Sequence, residues 1–183
     1  MNQISTNDEM AYFINPSLNL EDKEKEMAYI EASKAIKLVL EGENNMIVKM
    51  STINCLLKTH LPYFYWVGFY CVNGSKLTVG PYQGTLGCIH IDIGKGVCGQ
   101  SAAKKETLIV QDVSVLEEGE DHITCDPNSQ SEIVVPVLDH QGELLAVFDV
   151  DSTLKNSFNE IDQLYLEQII NEQFSTQSLV KHY

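Results

Sequence analysis

The residues with the most chemistry in them lie between His122 and Pro136, in the stretch HITCDPNSQSEIVVP. Cys125 falls among the turn formers Asp126, Pro127, Asn128 and Ser129. A thiol in a polar loop is open to solvent and small molecules, whereas one packed among apolar side chains is usually inert. Glu132 stands where the loop passes into the apolar run Ile133, Val134, Val135, a place from which a carboxylate can border a pocket. The pair reads as a redox nucleophile and its acid partner. The residues alone also allow an incidental loop cysteine beside an ordinary strand-edge glutamate.

Asp149 and Asp151, in FDVDS, are two apart, so an extended strand directs both to one face. If a strand pair brings Glu132 to that face, three carboxylates converge. They cannot all ionise freely, and at least one pKa must rise. A neutral carboxyl can donate a proton near neutral pH, and its anionic neighbours can hold an ammonium group. With a thiol beside them, the acid can protonate an S=O oxygen while the thiolate attacks sulfur. That gives a sulfenic acid, which a second cysteine condenses to a disulfide and an external dithiol reduces. The alternative for the two aspartates is a turn after the strand with both side chains solvated or capping.

The elements that must position these groups follow from periodicity. Residues 1–20 are polar and irregular and read as an N-terminal arm, leaving 21–183 as one domain. Acidic residues from Glu21 open a helix whose apolar positions are Ala28, Ala32, Ala35, Ile36, Val39 and Leu40, ended by Gly42. Asn44 or Asn45 caps a second helix with the stripe Met46, Ile47, Met50, Ile53, Leu56, Leu57, and Cys55 within it reads as a packed hydrophobe. The period then becomes two. Tyr63–Tyr70 is a strand, with Phe64, Trp66, Gly68 and Tyr70 on one face and Tyr63, Tyr65, Val67 and Phe69 on the other. Asn73-Gly74 turns it back into Lys76–Tyr82. Trp66 and Tyr70 flanking Gly68 either wall a small-ligand pocket or pack under a helix.

Gly96 to Lys105 reads as a short helix that starts beside Cys98, a position that favours a thiolate. The surrounding glycines do not form a G-x-x-x-x-G-K-[ST] phosphate loop. After the short strand Thr107–Val110 comes a long connection, 112–131, acidic in its middle and of a length that often serves function. Strands Glu132–Leu138 and Glu143–Asp149, joined by a hairpin at Asp139–Gly142, and a last helix capped by Asn159 complete the chain. Hairpin-linked strands grouped between helices predict an α+β fold with a central antiparallel sheet.

Acidic residues outnumber basic ones 26 to 12, a net charge of −14, so phosphate backbones and anionic membranes are poor partners. The chain shows no signal-like start and no apolar run of membrane-spanning length, and five cysteines is an odd number for a secreted disulfide framework. A cytoplasmic protein with free or transiently paired thiols is expected.

The stretches YWVGFY, GPYQGTLGCIHIDIGKGVCGQ, HITCDPNSQSEIVVP and FDVDS, in this order, resemble the free methionine-R-sulfoxide reductase family. The likeness is strong over roughly residues 60–160. It implies a single GAF domain that reduces free L-methionine-R-sulfoxide, with thioredoxin as external reductant and no metal or organic cofactor. Cys125 then matches the nucleophile, Cys88 the resolving cysteine and Cys98 a third cysteine of recycling or catalysis, which leaves open which two act. Glu132 matches the group that binds or protonates the sulfoxide oxygen. Asp149 and Asp151 match the grip on the amino group, and Trp66 and Tyr70 the aromatics around methyl and sulfur. Expected partners are the free sulfoxide, thioredoxin and, as one option, a second copy in a homodimer. The chain departs from the family pattern in a longer, more acidic 112–122 segment and a slightly longer hairpin at 139–142. Two rival readings are a GAF-type sensor without turnover and a zinc site of Cys88, Cys98, Cys125 and His90 or His122, the latter disfavoured by the lack of a C-x-x-C pair.

Overall fold

A computed structural model describes residues 17–116 and 125–175. The first sixteen residues of the arm, the middle of the acidic connection and His122 lie outside them. The described chain runs α1 (Asp22–Val39), α2 (Met46–His60), β1 (Trp66–Asn73), β2 (Lys76–Gln83), β3 (His90–Asp92), α3 (Gly96–Lys104), β4 (Leu108–Val110), a 3-10 turn at Val113–Val115, β5 (Ser131–Leu138), β6 (Leu144–Ser152) and α4 (Glu160–Phe174). The strands form one antiparallel sheet in the order β3-β2-β1-β6-β5-β4. This is the expected α+β architecture. Among the described residues no helix is long and apolar enough to cross a membrane.

Strand alternation gives the sheet two different faces. Val67 and Phe69 of β1, Ile133, Val135 and Val137 of β5, and Ala146, Phe148 and Val150 of β6 are buried under α1, α2 and α4, the main core. Trp66 and Tyr70 of β1, Val134 of β5 and Val147 of β6 point the other way, into a smaller cluster with Val97, Cys98 and Ala102 of α3. The functional groups share that second face.

Short-range signals placed the helix ends. Asn45 accepts hydrogen bonds from the amides of Ile47 and Val48 at 2.9 and 3.2 Å. Asn159 caps α4, and its own amide donates to Asp162 at 2.8 Å. Gly74, at φ 61°, supplies the left-handed residue that the two-residue β1–β2 hairpin needs.

Four details differ from the sequence expectation. Strand β1 begins at Trp66, so the alternation does not reach back to Phe64 and Tyr65: Phe64 packs in the main core and Tyr65 with the second cluster. Cys55 is exposed, because the turn of α2 directs Asn54 inward instead, where it donates to the Pro81 carbonyl at 2.8 Å. The edge strand β3 is only three residues long and carries no period to read. The inner face of α1 is built on Lys25 and Tyr29 as well as Ala32 and Ile36, whereas Val39 is exposed. The cause is Asp162, wholly buried, which takes the Lys25 ammonium at 2.6 Å and the hydroxyls of Tyr29 and Tyr63 at 2.9 and 2.5 Å. At the end of the arm, Ser17 is bonded to the Tyr63 carbonyl and to Thr153, each at 3.1 Å.

Candidate active site

Three adjacent strands set the floor of the site by register. Asp151 of β6 lies opposite Trp66 of β1 on one side and Glu132 of β5 on the other, and Asp149 lies between Gly68 and Val134. One more step along, Tyr70 pairs with Val147. An aromatic wall and an acidic wall therefore run side by side on one face. Placing Glu132 directly across from Asp151 is unfavourable as strand pairing, since like charges oppose each other there. The arrangement is held by everything that packs around it.

The aromatic wall is rigid. The Trp66 ring stacks between Tyr70 and Tyr82, with centroids 5.6 and 5.3 Å away, and its Nε1–H donates to the Thr85 carbonyl at 3.1 Å. Glycine at 68 is required by this packing: a Cβ there would come within 2.4 Å of the Tyr82 Cβ and 2.6 Å of the Trp66 ring.

Cys98 of α3, Glu132 and Asp149 are all buried, and their sulfur and carboxylate oxygens lie within 4.8 Å of one another. The Cys98 thiol faces Glu132 Oε1 at 3.9 Å and also bonds Asp149. Burial pushes the Glu132 carboxyl well above the usual carboxylate range, and the charges of Asp149 and Asp151 push it further. Asp151 is raised for the same two reasons, burial and Asp149. Burial raises Asp149 to about 7, with hydrogen bonds from Cys98, Glu132 and the Val150 amide pulling against it. One oxygen of Asp149, Oδ1, is buried without a hydrogen-bond partner. Tyr70 and Cys98 are also raised, by burial first and then by the carboxylates. At Cys98 this outweighs the helix N-terminus that favoured a thiolate on sequence grounds, and the thiol keeps its proton. This thiol-and-dicarboxylate group is the one set among the described residues whose donor atoms lie close enough for a metal ion. It offers one donor fewer than a closed structural zinc site uses.

The roof is made of the two cysteine loops. Cys88, between β2 and β3, and Cys125, ahead of β5, form a disulfide with a Cα–Cα distance of 5.0 Å across 37 residues of sequence. Neither cysteine of the pair is buried in the core. Their pairing and the burial of Cys98 separate the components of the rival zinc set, and His90 faces Thr78 at 3.2 Å.

Cys125, Glu132, Asp149, Asp151, Trp66, Tyr70 and Cys98 line one cavity, together with Asp126, Ser129, Gly87 and Val97. With the disulfide closed the cavity is small, about 40 Å³, below the roughly 300–1,000 Å³ typical of ligand pockets. The sequence-predicted site residues thus meet at one place, with Cys88 in the roof. Sequence reasoning missed Asp126, Ser129 and Gly87. Asp126 was visible as a turn former beside Cys125, but its partners lie far off in the chain.

A family model described as GAF domain matches residues 40–177. GAF domain-containing protein A of Dictyostelium discoideum is 42% identical over 154 residues, 84% of this chain and 94% of that protein. The free methionine-R-sulfoxide reductase of Saccharomyces cerevisiae is 37% identical over 136 residues, 70% of this chain and 74% of that protein. The X-ray structure of free methionine-R-sulfoxide reductase from Neisseria meningitidis in complex with its substrate superposes with a TM-score of 0.75 at 36% identity, covering 88% of this chain and 95% of that one. A likeness of this depth, over more than two thirds of each protein, makes this chain a GAF domain and a member of the free methionine-R-sulfoxide reductase family.

Proposed function

We propose that the protein reduces free L-methionine-R-sulfoxide to L-methionine by thiol chemistry at Cys125. The observation that carries this reading is the position of the Cys88–Cys125 pair over a pocket whose floor holds two buried carboxylates, Glu132 and Asp149, and the half-buried Asp151. Glu132, kept neutral by burial and by its acidic neighbours, donates a proton to the sulfoxide oxygen. Asp149 and Asp151 take the ammonium, which supplies the partner that Asp149 Oδ1 lacks. The Trp66 and Tyr70 rings receive the methyl group and sulfur. A peptide nitrogen carries no charge for the acidic wall to hold, which accounts for a preference for the free amino acid.

The electron balance is simple. Cys125 thiol and sulfoxide give methionine and Cys125 sulfenic acid. The Cys88 thiol then displaces water from that sulfenic acid, leaving the disulfide seen here. An external dithiol of the thioredoxin class reduces it by exchange, so no metal or organic cofactor takes part. Cys98 is the proton-bearing neighbour of Glu132 and Asp149 in this scheme.

The test is thioredoxin-dependent loss of the free R-sulfoxide, with single-turnover assays on Ser variants of Cys88, Cys98 and Cys125. Cys125→Ser should release no methionine, and Cys88→Ser should release one equivalent and then stall. Absence of turnover by the protein with intact thiols would defeat the reading. Reversed behaviour of the two variants would defeat the assignment of roles.

A further inference from the structure

Among the described residues, Asp126 is the one carboxylate lining the cavity that the reaction just described does not use. Its Oδ2 accepts from the Tyr65 hydroxyl at 2.9 Å and from the Thr85 hydroxyl, and its Oδ1 accepts from the Asn128 amide at 2.8 Å. Thr85 belongs to the loop of Cys88, and Asp126 adjoins Cys125. Both outer partners are anchored. The Tyr65 amide donates to the Asp151 carbonyl at 2.8 Å, the Tyr65 carbonyl takes the Lys58 ammonium at 2.6 Å, and the Thr85 carbonyl takes the Trp66 indole at 3.1 Å. Among the described residues, the two cysteine loops are joined across the cavity mouth by the disulfide and by this carboxylate.

We propose that Asp126 is a positioning residue for the resolving step, a non-covalent latch that keeps the Cys88 and Cys125 loops together whenever the disulfide is open. The inference rests on the sulfoxide-reductase reading for its place in the cycle, but its physical content is independent of substrate. A disulfide forms in proportion to the effective concentration of one sulfur around the other. A contact that bridges the same two loops raises that concentration, and by reciprocity the disulfide strengthens the contact. Hydrogen bonds to a charged group carry enough free energy for roughly a tenfold to a hundredfold effect. In the resolving step the Cys88 sulfur attacks the Cys125 sulfenic sulfur, the S–S bond forms, the S–O bond breaks, and the oxygen leaves as water with the thiol proton. A latch that survives each opening of the bond lets this outrun over-oxidation of the sulfenic acid.

Two measurements test the latch on the whole chain. The first equilibrates the Cys88–Cys125 pair with glutathione buffers, read by alkylation and mass shift, for wild type, Thr85→Val, Tyr65→Phe and Asp126→Asn. Thr85→Val and Asp126→Asn should make the disulfide at least about tenfold easier to reduce, about 30 mV for a two-electron couple, with a smaller change for Tyr65→Phe. Lys25→Met, which loosens the fold far from the loops, should leave this equilibrium in place. The second adds one equivalent of methionine-R-sulfoxide and traps sulfenic acid with a cyclic dione. In Thr85→Val the trapped fraction should rise and disulfide formation should slow by about tenfold. Equilibria equal to wild type in Thr85→Val and Asp126→Asn, or shifted as much by Lys25→Met, would overturn the latch. Failure of wild type to release methionine would instead count against the reductase reading, and the glutathione equilibria would still decide the latch.

Discussion

Replacing Asp149 by asparagine should make the protein more stable and less active, and the gain should depend on pH. Asp149 is almost completely buried between Gly68 and Val134, with one oxygen unpartnered, and burial raises its carboxyl from an ordinary 3.8 to about 7. Such a carboxyl contributes most to folding below its unfolded pKa, near 4, and that contribution is lost as the pH rises through about 7. At roughly 1.4 kcal/mol for each pH unit, ionising it in place costs about 4 kcal/mol above pH 7. Asparagine keeps the shape and the acceptor for the Val150 amide but not the charge. Its extra N–H needs an acceptor, which takes back about 1–2 kcal/mol. The expected net gain is about 2–3 kcal/mol at about pH 8, a rise in Tm of about 5–10 °C for a chain of this size. Roughly 2 kcal/mol of the difference should vanish on going down to about pH 5.5. Urea unfolding of both proteins at the two pH values, on fully oxidised samples so that the disulfide is constant, measures this directly. KM for the free sulfoxide should rise at least about tenfold with loss of the ammonium partner. Equal stability at the higher pH, or a gain that does not change with pH, would refute the claim that burial of this charge is what the site tolerates for function.

Other perturbations have equally definite outcomes. The rate of the first methionine-forming turnover should fall as pH rises through the raised pKa of Glu132, because this carboxyl must hold the proton it gives to the sulfoxide oxygen; Glu132→Gln, measured by rapid quench, should be slower by at least about a hundredfold and lose this dependence. Gly68→Ala forces a Cβ within 2.6 Å of the Trp66 ring, so KM should rise severalfold and chemical denaturation should show a loss of about 1–3 kcal/mol. Lys25→Met leaves the Asp162 carboxylate buried with its tyrosine and backbone donors but no cation, and should cost about 3–5 kcal/mol in the same measurement while KM stays near wild type.

Some of this was legible in the chain and some was not, for physical reasons that differ from residue to residue. Trp66, Gly68 and Tyr70 announce a shared face because a strand has an unambiguous period of two, and Asp149 and Asp151 follow the same rule. That rule fails one residue before the strand begins, which is how Tyr65, a latch partner, was placed on the wrong side. Lys25 and Tyr29 do not enter the apolar stripe read from the sequence, because a buried lysine makes sense only with its carboxylate, and Asp162 lies 137 residues further on. Cys98 was expected to ionise from its place near the start of α3, a local argument, while the burial and the carboxylates that keep it a thiol come from β5 and β6. The family resemblance supplied the role of Cys88, while Glu132 already read as the acid partner of Cys125 from its place at the loop–strand junction; neither route reaches Asp126, whose neighbours in sequence describe only a turn.

The two aspartates mark the limit of local reading most clearly. The run Phe148-Asp149-Val150-Asp151 alternates as any half-exposed strand does, and its local pattern also allows a turn after the strand with both aspartates solvated or capping. Phe148 and Val150 are fully buried as that pattern requires, yet Asp149 is buried as well. What closes the second face is α3 together with the cysteine loops, and the cavity they share with Asp149 and Asp151 is assembled from Cys98, Cys125 and Asp126. Among the described residues those loops meet through one covalent bond and one carboxylate, both long-range. The acidity of the site is therefore a consequence of its roof. Removing the roof would return these carboxylates toward water and their ordinary pKa values, and with them the neutral acid on which the proposed chemistry depends.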